Sequence, residues 1–237
     1  MMQLTQALHR AVQTRPRFTA TIYNGRKRTW REVGERVPRL AAGLRGLGLQ
    51  PGDRLAVLAL NSDNYIELFF AAAWARLVLV PLNTRWAIPE NVYSLADAQC
   101  AGLLVDDAFA VQVTELLARH PMAQVVHMGE GPTPPGMQAY EALIEASTPM
   151  PDDCGCDDEL CGIYYTGGTT GHPKGVMLSH TNFCAASVNW IALHCAVMAG
   201  MPAIVILASW GLGLEATTVR QRLAVGLATV GVVVMAG

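Results

Sequence analysis

The run Thr166-Gly167-Gly168-Thr169-Thr170-Gly171-His172-Pro173-Lys174-Gly175 carries the residue types that a bound anion requires. Glycines can adopt backbone angles closed to other residues, so successive N–H groups can converge on one anion as in a phosphate-binding nest. Thr166, Thr169 and Thr170 add hydroxyl donors. Lys174 supplies a compact positive charge on a long stem, suited to terminal phosphates, and Pro173 stiffens the approach to it. Only one other lysine occurs, Lys27 in Arg26-Lys27-Arg28, and it reads as solvated surface. The spacing differs from the Walker loop, where Gly-Lys precedes Ser or Thr and a helix; here Lys174 follows Pro173 and leads into an apolar strand. Kinases and GTPases of that class are therefore disfavoured. Without the lysine such a segment would read as a flexible polar turn between strands.

The elements that must position this run alternate in type. Thr19 to Thr29 reads as two short strands joined at Asn24-Gly25, a pair suited to the positive φ angles of a tight hairpin turn. Thr29 and Glu32 form a capping box that opens a helix with apolar positions at Val33, Val37, Leu40, Ala41 and Leu44. Strands are predicted over 54–60, 77–81, 101–105 and 124–128. Helices are predicted over 65–76, from Pro89 to Asp97, and over 109–119. The order argues for an α/β fold with a mostly parallel sheet flanked by helices, whose ligand sites gather at the carboxyl ends of its strands. Within that frame, residues 1–128 are expected to form a first α/β subdomain. Residues 129–158, rich in Pro, Gly and Asp, read as a surface connection interrupted by a short helix near 140–146. Residues 159–194 hold the glycine-rich loop and a following helix, and 195–237 are an apolar tail.

Composition narrows the partners. The 237 residues are 51% hydrophobic and 15% charged, with a formal charge of −2, which suits a folded chain without the basic face that nucleic acid demands. The N-terminal stretch lacks the apolar run of a secretory signal, so a cytoplasmic address is expected, and the six cysteines are expected as free thiols. Cys154, Cys156 and Cys161 fit no common zinc spacing.

YYTGGTTGHPKGVMLSHTN, residues 164–182, resembles the phosphate-loop motif of the AMP-binding (adenylate-forming) superfamily. Upstream, RTWREVGERVPRLAAGLRGLGLQPGDRLAVLALNSDNYIELFFAAAWARLVLVPLN is similar to the N-terminal pattern of that superfamily, and the likeness extends from about Leu4 to His194. The resemblance is to the acyl-CoA synthetase type. It implies that a carboxylic acid is activated with ATP as an acyl-adenylate and passed to the thiol of coenzyme A. Thr166, Gly167, Gly168, Thr169, Thr170, Gly171 and Lys174 would hold the β- and γ-phosphates, with Mg2+ bridging phosphate oxygens. The acidic metal-binding residue, the ribose-binding aspartate and the lysine of a mobile C-terminal domain find no counterparts here. Glu215 is the only acidic residue after Glu159 and does not match the motif. The complete set of catalytic residues is thus not expected in this chain, and weak nucleotide binding with poor turnover is. The alternative from another class is a catalytically dead nucleotide-binding or interaction module.

Several features have plainer readings. His172 occupies a variable position of the motif, and His180 is expected to start the following helix; neither has a partner carboxylate nearby in sequence for general-base work. Tyr164 and Tyr165 alternate in a strand, so one is expected in the core and the other toward a ligand. The uncharged stretch from Ala196 to Leu214 approaches the roughly 20 residues that span a bilayer, but Gly200, Pro202, Gly211 and Gly213 interrupt it, so buried elements are expected instead. An unpaired sheet edge and uncovered apolar surface would favour self-association or a homo-oligomer.

Overall fold

The computed structural model describes residues 2–167 and 172–189. Its framework is a seven-stranded sheet built from β3 (Arg54–Leu58), β4 (Val78–Pro81), β5 (Cys100–Val105), β6 (Gln124–His127), β7 (Gln138–Ala139), β8 (Leu160–Thr166) and β9 (Lys174–Ser179). The strand order is β7-β6-β5-β3-β4-β8-β9. Every pairing is parallel except the last, in which β9 returns antiparallel along β8. Helix α1 (Gln6–Thr14) and a separate hairpin, β1 (Thr19–Tyr23) and β2 (Arg26–Thr29), precede the sheet. The hairpin's turn residues Asn24 and Gly25 both have positive φ, 47° and 79°, as the Asn-Gly pair predicts.

Parallel strands need covered faces, and the side-chain alternation supplies two of them. Leu55 and Val57 of β3, Leu79 of β4 and Leu104 of β5 enter one buried cluster with residues of α2 (Trp30–Gly46), α3 (Asp63–Trp74) and α6 (Tyr140–Ala146). Ala56 and Leu58 of β3, Val78 and Val80 of β4, and Ile163 of β8 enter the second, with Leu95 of α4 (Ile88–Asp97) and Val113 and Leu116 of α5 (Val113–Arg119). Helices therefore cover both faces, as expected for an α/β chain with a mostly parallel sheet. The capping box forms in full: Thr29 N donates to Glu32 Oε2 at 2.6 Å, and Glu32 N donates to Thr29 Oγ1 at 3.3 Å. Ser62 caps α3 by accepting from Tyr65 N, and a proline lies in the first turn of α4.

The stretch 129–158 differs from its expected surface character. Tyr140 and Ile144 are only 2% and 3% exposed, Gln138–Ala139 extends the sheet as β7, and the Met150 carbonyl accepts from the Trp74 indole at 3.1 Å. Averaged composition concealed the helical spacing of Tyr140, Leu143 and Ile144, which lays one apolar stripe against the α2–α3 cluster. Lys27 is exposed as expected, but its neighbour Arg28 is buried in β2.

That arginine belongs to a buried ion network. Arg28 Nη1 lies 2.9 Å from Asp63 Oδ2 and 3.0 Å from Glu67 Oε1, and the two carboxylates are 1% and 0% exposed. Arg26 also pairs with Asp63, and Arg36 with Glu67, both at 2.8 Å. Burial alone would raise Asp63, but the Arg26 hydrogen bond and the charges of Arg28 and Arg26 hold it below the usual aspartate value. At Glu67 burial wins and the carboxyl is pushed up despite Arg36 and Arg28. Removing one partner of such a buried set leaves an uncompensated charge. Arg28→Met is expected to destabilise the chain by about 3 kcal/mol in urea unfolding. A loss below about 1 kcal/mol would show that Arg28 does not hold these carboxylates.

Candidate functional site

The glycine-rich run lies where β8 leaves the sheet at the carboxyl ends of the parallel strands. Leu79 of β4 pairs with Gly162 of β8, which sets Thr166 beyond the end of β4. Strand β9 then returns with Tyr165 opposite Gly175 and Thr166 opposite Lys174. Thr166 Oγ1 donates to the Lys174 carbonyl at 3.4 Å, so the first hydroxyl and the lysine of the motif share one end of the hairpin. Thr166, Gly167 and Lys174 are all exposed there. Gly168, Thr169, Thr170 and Gly171 lie outside the described residues. Sequence reading placed the strand after Lys174; in the structure the lysine is its first residue, because Thr166 extends β8 far enough to pair with it.

Helix α4 touches both arms of this hairpin. The rings of Tyr93 and His172 stack with centroids 4.7 Å apart and planes at 14°. On the other arm the Tyr165 hydroxyl donates to Asp97 Oδ2 at 2.5 Å. Gly175 makes room for this: a β-carbon there would meet Tyr165 Cζ at 3.1 Å and Ile163 Cγ2 at 2.7 Å. Burial and the neighbouring Asp97 carboxylate push the Tyr165 phenol above its ordinary value, so it remains a proton donor. A cavity of about 390 Å3 opens beside the stack, lined by Pro89, Glu90, Tyr93, His172 and Pro173. Tyr93 and Asp97 escaped the sequence reading. Their only signal there is a spacing of four on a helix, which has meaning once the helix is known to lie against β8.

This geometry matches known proteins. A family model described as "AMP-binding enzyme" matches residues 8–220. The chain belongs to the AMP-binding enzyme family. The match reaches beyond the likeness ending near His194 and takes in much of the apolar tail. Feruloyl-CoA synthase of an Amycolatopsis species is 37% identical over 76% of the chain, which covers 34% of that relative. A fatty acid–[acyl-carrier-protein] ligase of Streptomyces coeruleorubidus is 34% identical over 78% of the chain, again covering 34% of the relative. The chain thus spans about a third of the length of the curated relatives it matches. Among solved structures, an anthranilate CoA ligase in complex with anthranoyl-AMP superposes with a TM-score of 0.70 and 27% identity, over 74% of this chain and 34% of that one. A benzoate CoA ligase from Burkholderia xenovorans gives 0.68 and 26%, over 78% and 36%.

On the opposite face from α4, the family's motif ends in packing. Tyr164 meets Phe183 edge-on at 5.5 Å, and Phe183 meets Phe69 in the same manner at 5.6 Å. Tyr164 and Tyr165 therefore do point to opposite faces, but the structure gives each an intramolecular partner. His180 begins the helix over 180–189, as expected, and its ring is 2% exposed. Its Nδ1 accepts from Leu4 N at 3.3 Å, and its own N–H donates to the Glu159 carbonyl at 3.2 Å. His180 thus ties the N-terminal segment to the end of β9, a structural task with no exposed edge for a substrate.

Among the described residues no disulfide links two cysteines, and no three His, Cys, Asp or Glu side chains converge as a metal site. No helix among them is long and apolar enough to cross a membrane. The expectations for 195–237 fall outside the described residues. Of the second unit, Cys184–Gly237, residues 184–189 are described and are helical.

Burial holds the His180 imidazole below the usual histidine value, against the opposing pull of the Glu159, Asp152 and Asp157 carboxylates. The unfolded chain then takes up this proton more readily than the folded one. The stabilisation is complete above the ordinary histidine value and is lost as pH falls through the depressed one. Urea unfolding between about pH 7.5 and about pH 5 should show His180→Gln losing less stability on acidification than the parent chain. Parallel losses in the two proteins would exclude His180 as the source.

Proposed function

We propose that this chain provides the triphosphate-binding hairpin of an ATP-dependent acid–thiol ligase, which activates a carboxylic acid as its acyl-adenylate and passes the acyl group to the thiol of coenzyme A. The observation that carries the reading is the convergence of Thr166 and Lys174 at one hairpin end, within a sheet similar to that of a ligase solved with anthranoyl-AMP. Relatives named as CoA and acyl-carrier-protein ligases support it. In the first step a carboxylate oxygen bonds to the α-phosphorus of ATP as the bond to the bridging oxygen of the β-phosphate breaks and pyrophosphate departs. In the second, the thiol sulfur bonds to the acyl carbon, AMP leaves, and the thiol proton is released.

The contribution of this chain lies in the first step. The Lys174 ammonium faces the charge that collects on departing pyrophosphate, the Gly167 N–H donates to a phosphate oxygen, and the Thr166 hydroxyl exchanges its long bond to the Lys174 carbonyl for another; by their place in the motif Gly168, Thr169, Thr170 and Gly171 are assigned to the same phosphates. Donors held in advance at such positions act by alignment and charge neutralisation. Mg2+ bound with the nucleotide would offset the negative charge of the phosphates beside Lys174. A catalytically dead nucleotide-binding or interaction module is the second reading, favoured by Glu215, which does not match the acidic segment of the motif.

Calorimetric titration of the chain with Mg-ATP should give a Kd that rises about tenfold or more in Lys174→Ala, the loss of one charge-assisted contact. Equal affinities would remove Lys174 from the phosphate site. Pyrophosphate exchange with a panel of carboxylic acids, in the chain extended by the C-terminal region of a relative, separates the two readings: exchange supports the ligase, and binding without exchange supports the module.

A further inference from the structure

We infer that Tyr93 and Asp97 of α4 are positioning residues that bracket Lys174 from both sides and fix the backbone from which its ammonium reaches. The inference rests on the reading of the hairpin as a phosphate site. The two residues are four apart and share one face of α4. Tyr93 holds His172 by ring stacking, two residues before Lys174. Asp97 holds the Tyr165 hydroxyl, and the Tyr165 ring crosses Gly175, the residue after Lys174. Each side of the lysine is thus pinned through a different contact to the same rigid helix.

The connection between His172 and Lys174 is stiff. Pro173 is buried and fixes its own φ, and a proline also restricts the residue before it. Fixing the His172 ring therefore fixes the backbone that starts β9. The placement of Asp97 supports the same conclusion. It occupies the last residue of α4, where the negative end of the helix dipole opposes a carboxylate. Helix stability alone does not select an acid there, whereas a hydrogen bond to Tyr165 does. Trp86, just before α4, lies on the side of Gly167 where a β-carbon would come within 3.9 Å of its Cζ2.

The lysine content of the chain provides a direct readout. A protease that cuts after lysine has two sites, Lys174–Gly175 in the hairpin and Lys27–Arg28 in β2. In Tyr93→Ala, cleavage after Lys174 should accelerate about tenfold or more while cleavage after Lys27 stays at the parent rate, because only local opening has changed. Tyr93→Phe, which keeps the stack, should cleave as the parent does. His172 is exposed, so His172→Ala provides a second arm that leaves the core untouched and should repeat the selective acceleration. Acceleration at both sites in all variants, or at neither, overturns the bracket. The Mg-ATP Kd of Tyr93→Ala should rise severalfold with Tyr93→Phe unchanged; selective cleavage with unaltered affinity overturns the positioning role. If the parent chain binds no nucleotide, the phosphate-site reading falls and the positioning role with it, while the cleavage rates still decide whether α4 holds the hairpin.

Discussion

The antiparallel register of β9 on β8 is the constraint on which the site depends. The sheet is parallel up to β8, and a parallel neighbour would need a long crossover to return. A hairpin needs none, so the strand that leaves the sheet comes straight back beside itself. Its register places Thr166 against Lys174 and Tyr165 against Gly175. A slip of one residue would turn every side chain of β9 to the other face. Gly175 would no longer lie beneath the Tyr165 ring, and Lys174 would lose its place opposite the hydroxyl. Gly175 helps to fix the register, because only a residue without a β-carbon accepts the Tyr165 ring lying across it.

The buried ion network does a different kind of work on the other face of the sheet. Asp63 and Glu67 are four apart on α3, so they present two carboxylates on one side of the helix, and the β1–β2 hairpin and α2 bring arginines to them. Desolvation makes such a set a poor source of net stability compared with apolar packing of the same volume. What it supplies is geometry. Arg28 and Arg36 meet the same acid from different elements, and both also reach Glu141 of α6, at 3.5 Å and 2.8 Å. The separate hairpin, which shares no strand pairing with the large sheet, is thereby held in one orientation on α3. The Tyr140 hydroxyl donates to Glu67 at 3.1 Å, which brings the segment after β6 into the same arrangement.

Local signals were legible and long-range ones were not. Asn24-Gly25, the Thr29–Glu32 box, the proline at the head of α4 and the alternation of β3 to β6 are each written within a few residues, and the structure carries all of them. The identity of the glycine-rich run was equally local. Arg28 escaped because an arginine in a basic tripeptide looks solvated until two carboxylates 35 and 39 positions later are known to face it. The buried character of 140–146 escaped because flanking Pro, Gly and Asp dominate the average over 129–158. Tyr93 and His172 are far apart in sequence, and neither type in isolation signals a stack. Such contacts follow from strand order, and the placement of β8 next to β4 cannot be read from alternation alone.

The two faces of β8 divide the task in a way that bears on binding energy. A flexible loop that closes on a triphosphate loses conformational freedom as it does so, and that loss subtracts from affinity. Here the residues nearest the lysine are already held: His172 by a ring, Pro173 by its own geometry, Gly175 by the tyrosine lying over it. The ordering cost is largely met during folding, by contacts to a helix whose other side is packed in the core through Leu95. Lys174 itself stays exposed and keeps its long stem, so in the proposed phosphate role its ammonium is free to adjust while its root is not. Rigid support for the backbone and freedom for the ammonium are compatible because they reside in different atoms of the same residue.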